Sequence, residues 1–182
     1  MNIELLNSQE QVKYYDEILK MLVAGDDDFI PPLSARTSTT QSNLNISKRR
    51  ENGILNYFDE LKKQRIMVAK ENDKLIAFVS FKENYTNEEI GEDALPNIYL
   101  STLIVKPEGR GKGLTQMMYK ILFKEYENAN IFTRTWSTNI AHIKILSKFN
   151  FETLCVLKNH RGVGIDTVYF VKRPENNKFI GI

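Results

Sequence analysis

The spacing of hydrophobic positions changes from segment to segment along the chain, and it predicts strands and helices in turn. An apolar run over Ile3–Leu6 indicates a short strand. Ser8 and Gln11 form a capping-box pattern, which predicts a helix that continues to about Val23. A stretch rich in Gly, Pro, Ser and Thr then breaks the periodicity, and a second helix is expected over Lys48–Lys63.

Strands dominate the pattern from Arg65 onward. Two β-rich runs that meet at Asn72 and Asp73 predict a hairpin. Ile98–Val105 is apolar on both faces apart from two hydroxyl residues, as expected of a central strand. The apolar face of the helix that follows is formed by Leu114, Met117, Met118, Ile121 and Leu122.

The complete order of elements is β-α-α-β-β-β-α-β-α-β-β. This order predicts an α/β fold, with a mixed sheet of about seven strands and about four helices packed on it. A chain of 182 residues is long enough to bury one substantial core, so we expect a single domain over residues 1–182. Residues 173–182 are expected to form a tail.

Composition narrows the class of protein. Hydrophobic residues make up 42% of the chain and charged residues 26%, with a net charge of +2, which is typical of a soluble globular protein. No face is visibly loaded with Lys and Arg, so neither nucleic acid nor a membrane is expected as a partner. The single cysteine, Cys155, excludes an internal disulfide. The N-terminus has no signal-peptide pattern and no run reaches the ~20 apolar residues of a membrane span, so we expect a cytoplasmic protein.

The stretch VKPEGRGKG, residues 105–113, places glycines and cations between a strand and a helix. Free backbone N–H groups at a helix N-terminus favour an anion, and Gly111 and Gly113 would let the backbone approach it closely. Arg110 and Lys112 add positive charge. The P-loop and Rossmann glycine patterns are both absent from this stretch, so the turn alone leaves open whether it binds phosphate or is an ordinary solvated turn.

Two motifs bear on that choice. LIVKPEGRGKGLTQMMYKIL resembles the acyl-CoA-binding motif of the GNAT superfamily of N-acyltransferases, with Thr115 in place of a usual small residue. NIAHIKILSKFNF is similar to the second GNAT motif, in which Asn139, Lys148 and Phe151 match. The resemblance covers roughly residues 65–172 and implies the GNAT fold with acetyl-CoA as co-substrate and no metal.

The resemblance also implies a cofactor site. The backbone of Leu103, Ile104 and Val105 would pair with the pantetheine arm of coenzyme A, and Asn139 would bond the arm near its thiol end. The diphosphate would lie on the turn and the helix start, formed by Arg110, Gly111, Lys112, Gly113, Leu114 and Thr115.

Catalytic groups are harder to assign. Leu146 occupies the position of the tyrosine that protonates the leaving thiolate in many GNAT enzymes. His142 lies on the same helical face as Asn139 and is the first candidate to replace it, although a packed or surface role is also open; Ser147 points elsewhere. Candidates near the base position are Tyr99 and Glu83.

The central strand also carries Ser101 and Thr102, which either satisfy backbone groups or hold a water at the acceptor site. In a strand, Tyr99 and Ser101 would face one way with Leu103, and Thr102 the other.

Several segments are candidates for the acceptor site. Arg161 in the last hairpin loop is a candidate acceptor-binding residue, and its neighbour His160 is a weaker one. The segment FIPPLSAR, residues 29–36, could cover the pocket, and Trp136 is either core or pocket wall. The acids Glu88, Glu89, Glu92 and Asp93 form either a solvated loop or, if they line the site, a surface that favours a cationic amine.

These observations lead to one leading hypothesis and two alternatives. The leading one is an acetyl-CoA-dependent N-acetyltransferase that acts by direct attack in a ternary complex. Its acceptor would be a small-molecule amine or a protein or peptide amine, and a homodimer is possible by analogy. The alternatives are a non-catalytic acyl-CoA-binding module, and an acyltransferase that uses another acyl-CoA in a groove widened by Leu146.

Overall fold

The computed structural model of the protein describes residues 1–91 and 96–175. Glu92 and Asp93 of the acidic loop, and residues 176–182 of the expected tail, lie outside the described residues. Seven strands of the described chain form one mixed sheet in the order β1-β2-β3-β4-β5-β7-β6. Their bounds are β1 Asn2–Leu5, β2 Arg65–Glu71, β3 Lys74–Glu83, β4 Asn97–Val105, β5 Asn130–Trp136, β6 Glu152–Leu157 and β7 Thr167–Lys172. The β4–β5 pair is parallel, and the other neighbouring pairs are antiparallel.

The α-helices of the described chain flank this sheet. They are α1 Ser8–Gln11, α2 Tyr15–Ala24, α3 Gly53–Leu61, α4 Leu114–Glu125 and α5 Ile140–Lys148. A 3-10 turn over Val12–Tyr14 joins α1 to α2, so the two occupy the place of the first helix predicted from the sequence. The predicted mixed sheet with four helical segments is thus confirmed. None of the described helices combines the length and the apolar character that crossing a membrane requires.

Each face of the sheet has its own core. On one face, Met118 and Leu122 of α4 and Leu146 of α5 pack with sheet residues such as Val79. On the other face, α2 and α3 pack on Phe78 and its neighbours. The buried face of α4 differs from the predicted one, because Met117 and Ile121 are partly exposed, whereas Tyr119 is buried.

The first residues of two helices differ from the predicted ones, although the helices themselves are present. The capping box is present but lies one residue earlier than expected: the Asn7 side chain accepts from the amides of Gln9 and Glu10, and Glu10 accepts from the Asn7 amide. Helix α3 begins at Gly53 rather than Lys48, because Asn52 adopts the left-handed conformation that interrupts a helix. The predicted hairpin at Asn72 and Asp73 is confirmed.

A β-bulge at Ser101 changes the facing of β4. Ser80 on β3 pairs with Thr102 and Phe81 pairs with Leu100, which leaves Ser101 as an extra residue. Leu103 consequently packs on the α4 side of the sheet, while Tyr99 packs on the opposite side with Phe132 and Tyr169. The expectation that Tyr99 and Leu103 share a face is therefore wrong, since one inserted residue reverses a two-residue period.

Candidate active site

The two central strands of the sheet separate partway along their length. The parallel register of β4 and β5 runs from Asn97 opposite Asn130 to Leu100 opposite Thr133, and the Thr133 hydroxyl donates to the Leu100 carbonyl at 3.1 Å where the pairing ends. Beyond this point a cavity of about 270 Å³ opens between them. Its walls include residues 100–105 of β4, residues 133–136 of β5, and residues of α4 and α5.

A turn that is open above its backbone leads from β4 into α4. Gly111 and Gly113 have φ of 75° and 74°, and a Cβ built at either position would have no atom within 4 Å. Gly113 is the N-cap of α4 and no side chain caps this helix. The first amides of α4 therefore have no helical partner and face the open side of the turn.

Charged side chains flank this turn. The Arg110 guanidinium lies 2.8 Å from Asp28 and also donates to the Val105 carbonyl at 3.2 Å. Lys112 pairs with Glu71 at 2.9 Å. Both ion pairs are substantially exposed, so their carboxylates compete only weakly with a bound anion.

Asn139 is fixed at the start of α5. Its side-chain oxygen accepts from the His142 amide at 3.3 Å, and its side-chain nitrogen donates to the Thr135 hydroxyl at 3.0 Å. The first bond is an N-cap, which orients the carboxamide at the cavity wall.

His142 and Tyr119 meet inside the cavity. The Tyr119 hydroxyl lies 2.8 Å from Nε2 of His142, and both residues line the cavity. Burial lowers the pKa of His142 to about 4 and raises the pKa of Tyr119 well above its ordinary value. At neutral pH the pair therefore holds an uncharged imidazole and a protonated phenol.

Glu83 and Tyr99 do not join this group. Glu83 lies at the opposite end of β3 in another depression, where it accepts from Tyr126 at 2.6 Å and from Arg65 at 3.3 Å. Tyr99 is buried against Tyr85, with ring centroids 4.8 Å apart, and burial raises the pKa of its hydroxyl. Neither position suits a base that must touch the acceptor, and the register of β3 and the bulge in β4 account for both placements.

The two hydroxyl residues of β4 already have partners. Thr102 lies 2.7 Å from the Tyr57 hydroxyl, and both side chains are buried. Ser101 donates to the side chain of Gln64 at 2.5 Å and lies 3.0 Å from the Ser80 hydroxyl. Both residues line the cavity, so they bind within the protein and also border the site.

The segment 29–36 and the β6–β7 loop close one end of the cavity. Phe29 packs on Trp136, with ring centroids 5.9 Å apart, and the Arg161 guanidinium lies 5.8 Å from the centroid of the Trp136 ring. Arg161 also donates to the Ile30 carbonyl. Trp136 is therefore a wall of the cavity. Cys155 is partly buried and packs at the edge of a core cluster.

The sequence of this chain also matches the model of a protein family. The model of the acetyltransferase (GNAT) family matches residues 34–151, well over half of the chain. The chain belongs to the GNAT acetyltransferase family. No curated relative matches its sequence.

Solved structures share the fold of this GNAT protein at low sequence identity. An N-acetyltransferase from Staphylococcus aureus Mu50 is 18% identical with a TM-score of 0.64, and the match covers 96% of this chain and 98% of that one. A ribosomal-protein-alanine N-acetyltransferase from Brucella melitensis is 13% identical with a TM-score of 0.67, covering 95% and 99%. A putative acetyltransferase from Salmonella typhimurium, solved with acetyl-CoA, is 13% identical with a TM-score of 0.65, covering 100% and 98%.

Most of the site residues named from this GNAT sequence border one cavity. The cavity-lining members are Ser101, Thr102, Leu103, Ile104, Val105, Arg110, Thr115, Asn139, His142 and Arg161. Sequence reasoning did not single out Tyr119 or Arg134, and it included Arg36 only as the last residue of the segment 29–36; all three also line the cavity. Only the polar character of Tyr119 on an otherwise apolar helix face could have singled it out. Arg36 and Arg134 carry no local signal, because long-range topology brings them to the cavity.

Proposed function

We propose that the protein transfers the acetyl group of acetyl-CoA to a primary amine by direct attack within a ternary complex. The observation that carries this proposal is the early end of the β4–β5 pairing, at Leu100 and Thr133, which leaves residues 101–105 of β4 unpaired with β5 up to the turn that leads into the uncapped start of α4. An open strand edge offers hydrogen bonds to the amides of a pantetheine arm, and an uncapped helix start offers them to a diphosphate.

The chain's residues fit this ligand in a definite order. The edge of residues 101–105 would bind the arm, and the amides of residues 111–115 would bind the diphosphate, where no Cβ fills the space above Gly111 and Gly113. When bound, acetyl-CoA supplies an activated thioester carbonyl. Asn139 and Thr135 form a fixed polar pair beside the arm's path. Holding both reactants in one cavity supplies much of the rate enhancement.

The Tyr119–His142 pair is the best-placed proton donor of the cavity. A His142 tautomer protonated at Nε2 donates to the Tyr119 oxygen and leaves the phenolic hydrogen free for the departing thiolate. In the overall step the neutral amine nitrogen forms a bond to the acetyl carbon, the carbon–sulfur bond breaks, and the thiolate takes the Tyr119 proton. The new amide nitrogen gives up one proton, which returns to the Tyr119 oxygen, so the products are the amide and the free thiol and the protein regains its starting protonation. The proton that the ammonium loses beforehand goes to water, because the carboxylate in the described cavity lining, Asp28, is paired with Arg110.

A non-catalytic acyl-CoA-binding module is the second candidate. Leu146, whose identity motivates it, is fully buried in the core beneath α5. A leucine there cannot protonate a thiolate. A groove widened by Leu146 would need this side chain in its wall, but Leu146 is not among the residues that line the cavity. The presence of the Tyr119–His142 pair in the cavity favours the enzyme over the module.

Titration calorimetry with acetyl-CoA tests the proposal. Gly113→Glu places a negative charge on the turn and should weaken binding at least about tenfold, because like charges repel. Gly91→Glu is the matched control, since Gly91 has a similar φ of 71° and equally open space but lies away from the turn. We expect the control to bind as the wild type does.

Turnover separates the two candidate functions. Thiol release from acetyl-CoA with a panel of primary amines should accompany binding if the protein is an enzyme. Binding without release across the panel would favour the module, and absence of binding by the wild type would overturn both candidates.

A further inference from the structure

Three arginines from distant parts of the chain converge at one end of the cavity. Arg36 follows the 3-10 turn Leu33–Ala35, Arg134 lies on β5, and Arg161 lies in the β6–β7 loop. All three line the cavity, and Arg36 and Arg161 are only 5% and 6% exposed. The three guanidinium groups are close enough together that Arg134 lowers the pKa of Arg36, and Arg36 and Arg134 lower the pKa of Arg161. The sheet order and the loop packing therefore concentrate positive charge where the acceptor side of the cavity closes.

The hydrogen-bond partners of these arginines are neutral. Arg36 donates from Nε and Nη2 to the Pro31 carbonyl, at 3.1 and 2.8 Å. Arg134 donates to the Tyr169 hydroxyl at 2.9 Å and to the Gln41 carbonyl at 2.6 Å.

Arg161 follows the same pattern. It donates to the Thr167 hydroxyl at 2.9 Å and to the Ile30 carbonyl. No carboxylate of residues 1–91 or 96–175 forms an ion pair with any of the three arginines. Two of the five N–H donors of each guanidinium make these bonds, and the arrangement leaves buried positive charge without a counter-ion in the described chain.

Buried charge of one sign is unfavourable unless an opposite charge joins it. Burial, together with Arg36 and Arg134, lowers the pKa of Arg161 to about 9. Burial also lowers the pKa of Arg36. For Arg134 burial acts in the same direction, but Tyr99 and Tyr169 outweigh it and the net shift is upward. An anion that bound among the three guanidinium groups would relieve this repulsion.

We propose that this arginine pocket, formed by Arg36, Arg134 and Arg161, binds an anionic group of the acceptor, so that the substrate is an amine bearing a carboxylate or a phosphate-type group. The inference rests on the proposed acetyl transfer. The guanidinium fork matches the geometry of both anion types. The carboxylate of the described cavity lining, Asp28, is held by Arg110 at the other end, so it does not neutralise the pocket.

The position of the pocket argues against a role in holding the cofactor's diphosphate. The diphosphate turn has its own cations, Arg110 and Lys112, beyond the end of β4, and Arg110 donates to the Val105 carbonyl there. Arg134 instead packs on Tyr169, 5.7 Å from its ring centroid, on the sheet face opposite α4. The cavity thus has a cationic site at each end, with the Tyr119–His142 pair within it.

The same positive field assists the chemistry. A protonated amine beside three guanidinium groups is destabilised, so the pKa of the bound ammonium falls and more of it is in the neutral, nucleophilic form. Binding the anionic group offsets the repulsion that this would otherwise cause. Of the two roles left open for the acidic loop, a surface lining the site is not supported for Glu88 and Glu89, which are not part of the cavity lining that the described residues form.

Matched pairs of acceptors test the proposal by turnover. One arm compares glycine with glycinamide, and a second compares 2-aminoethylphosphonate with propylamine, each at saturating acetyl-CoA. We expect kcat/KM to be at least about tenfold higher for the anionic member of one or both pairs, and the arms show which anion the pocket prefers. Equal rates, or preference for the neutral members or for a polyamine, would overturn it.

Variants tie that preference to the pocket. Arg161→Gln removes one charge and should reduce the anionic-to-neutral ratio about tenfold or more, whereas Arg161→Lys should retain part of it. Arg65→Gln is the control, since Arg65 lies in the other depression beside Glu83, and it should leave the ratio unchanged. An unchanged ratio in Arg161→Gln, with the fold intact by circular dichroism, would overturn the assignment.

The single tryptophan provides a readout that needs no turnover. Trp136 lies under the Arg161 guanidinium, so its fluorescence should change saturably when an anion enters the pocket. With coenzyme A bound, N-acetylglycine should produce this change and N-acetylglycinamide should not. A response only in the absence of coenzyme A would assign the arginines to the cofactor and overturn the proposal. If only the proposed acetyl transfer is wrong, the fluorescence response to N-acetylglycine remains. If the arginine pocket does not bind an anion, the response is lost, so the two failures can be told apart.

Discussion

The Tyr119 hydroxyl and Nε2 of His142 lie 2.8 Å apart, joining α4 to α5 across the cavity. Neither residue has a charged partner in this contact, and burial keeps both in their neutral forms. In the proposed reaction, Tyr119 on α4 supplies the acid that Leu146 on α5 cannot supply.

Tyr119→Phe removes the proposed donor and keeps the ring packing. We expect kcat to fall about 100-fold while KM for acetyl-CoA stays within about twofold, because a general acid acts only on the chemical step. Steady-state kinetics with the best acceptor measures this. Tyr126→Phe is the control at the C-terminal end of the same helix, since Tyr126 donates to Glu83 away from the cavity. A rise in KM without a fall in kcat would contradict the role.

His142 makes stability depend on pH in a defined window. Its folded pKa of about 4 lies below the ordinary value of 6.5, so the unfolded chain binds a proton first as the pH falls. The contribution is complete above pH 6.5 and is lost progressively toward pH 4, amounting to at most about 3 kcal/mol.

The measurement is urea unfolding of the wild type and His142→Asn at several pH values. The difference between their free energies of unfolding should change between pH 6.5 and 4 and be constant above pH 7. A difference that is the same at every pH would show that His142 titrates normally in the folded protein.

Gly53→Ala should disrupt the contact between the start of α3 and the 3-10 turn at Ser34. A Cβ at Gly53 would lie 1.9 Å from the Ser34 carbonyl oxygen, so the helix start or the 3-10 turn must move. We expect a loss of about 2 to 3 kcal/mol in the free energy of unfolding. At Gly25 the nearest atom, the Met21 carbonyl oxygen, lies 3.2 Å away, and Gly25→Ala should lose less than about 1 kcal/mol. Equal losses would refute the packing argument.

Tyr57 and Thr102 form a buried hydroxyl pair that links α3 to β4 at the cavity. A double-mutant cycle of Tyr57→Phe and Thr102→Val, measured by denaturant unfolding, should give a coupling of about 1 kcal/mol. A coupling near zero would mean that each hydroxyl finds another partner when the first is removed.

Local pattern was sufficient for much of the fold but not for the bulge. The strand content of Ile98–Val105 and the glycine turn after it were read from hydrophobicity and residue type. The extra residue at Ser101 was not, because an inserted residue leaves composition unchanged and shows only when the partner strand is known. Because of that one residue, Tyr99 and Leu103 lie on opposite faces of the sheet and not on the same face as predicted.

The site divides in the same way. His142 and Asn139 are three positions apart on one helix, so their shared face was predictable from sequence. The arginine pocket draws on residues 36, 134 and 161, whose meeting depends on the sheet order and on loop packing. A position at the end of the strand before the central one favours Glu83 as the nearest acidic candidate, but the antiparallel register puts it at the far end, opposite Ile98.

The short pairing of β4 and β5 has a mechanical consequence. The sheet has a four-stranded half, β1 to β4, and a three-stranded half, β5 to β7. Four residue pairs between β4 and β5 form the hydrogen-bonded seam that joins these two halves. A ligand that lies along the open part of this seam bonds to one half and packs on the other, so it acts as a missing strand segment. Ligand binding should therefore stiffen the whole sheet, and amide hydrogen exchange should slow first along the edges of β4 and β5 that face each other.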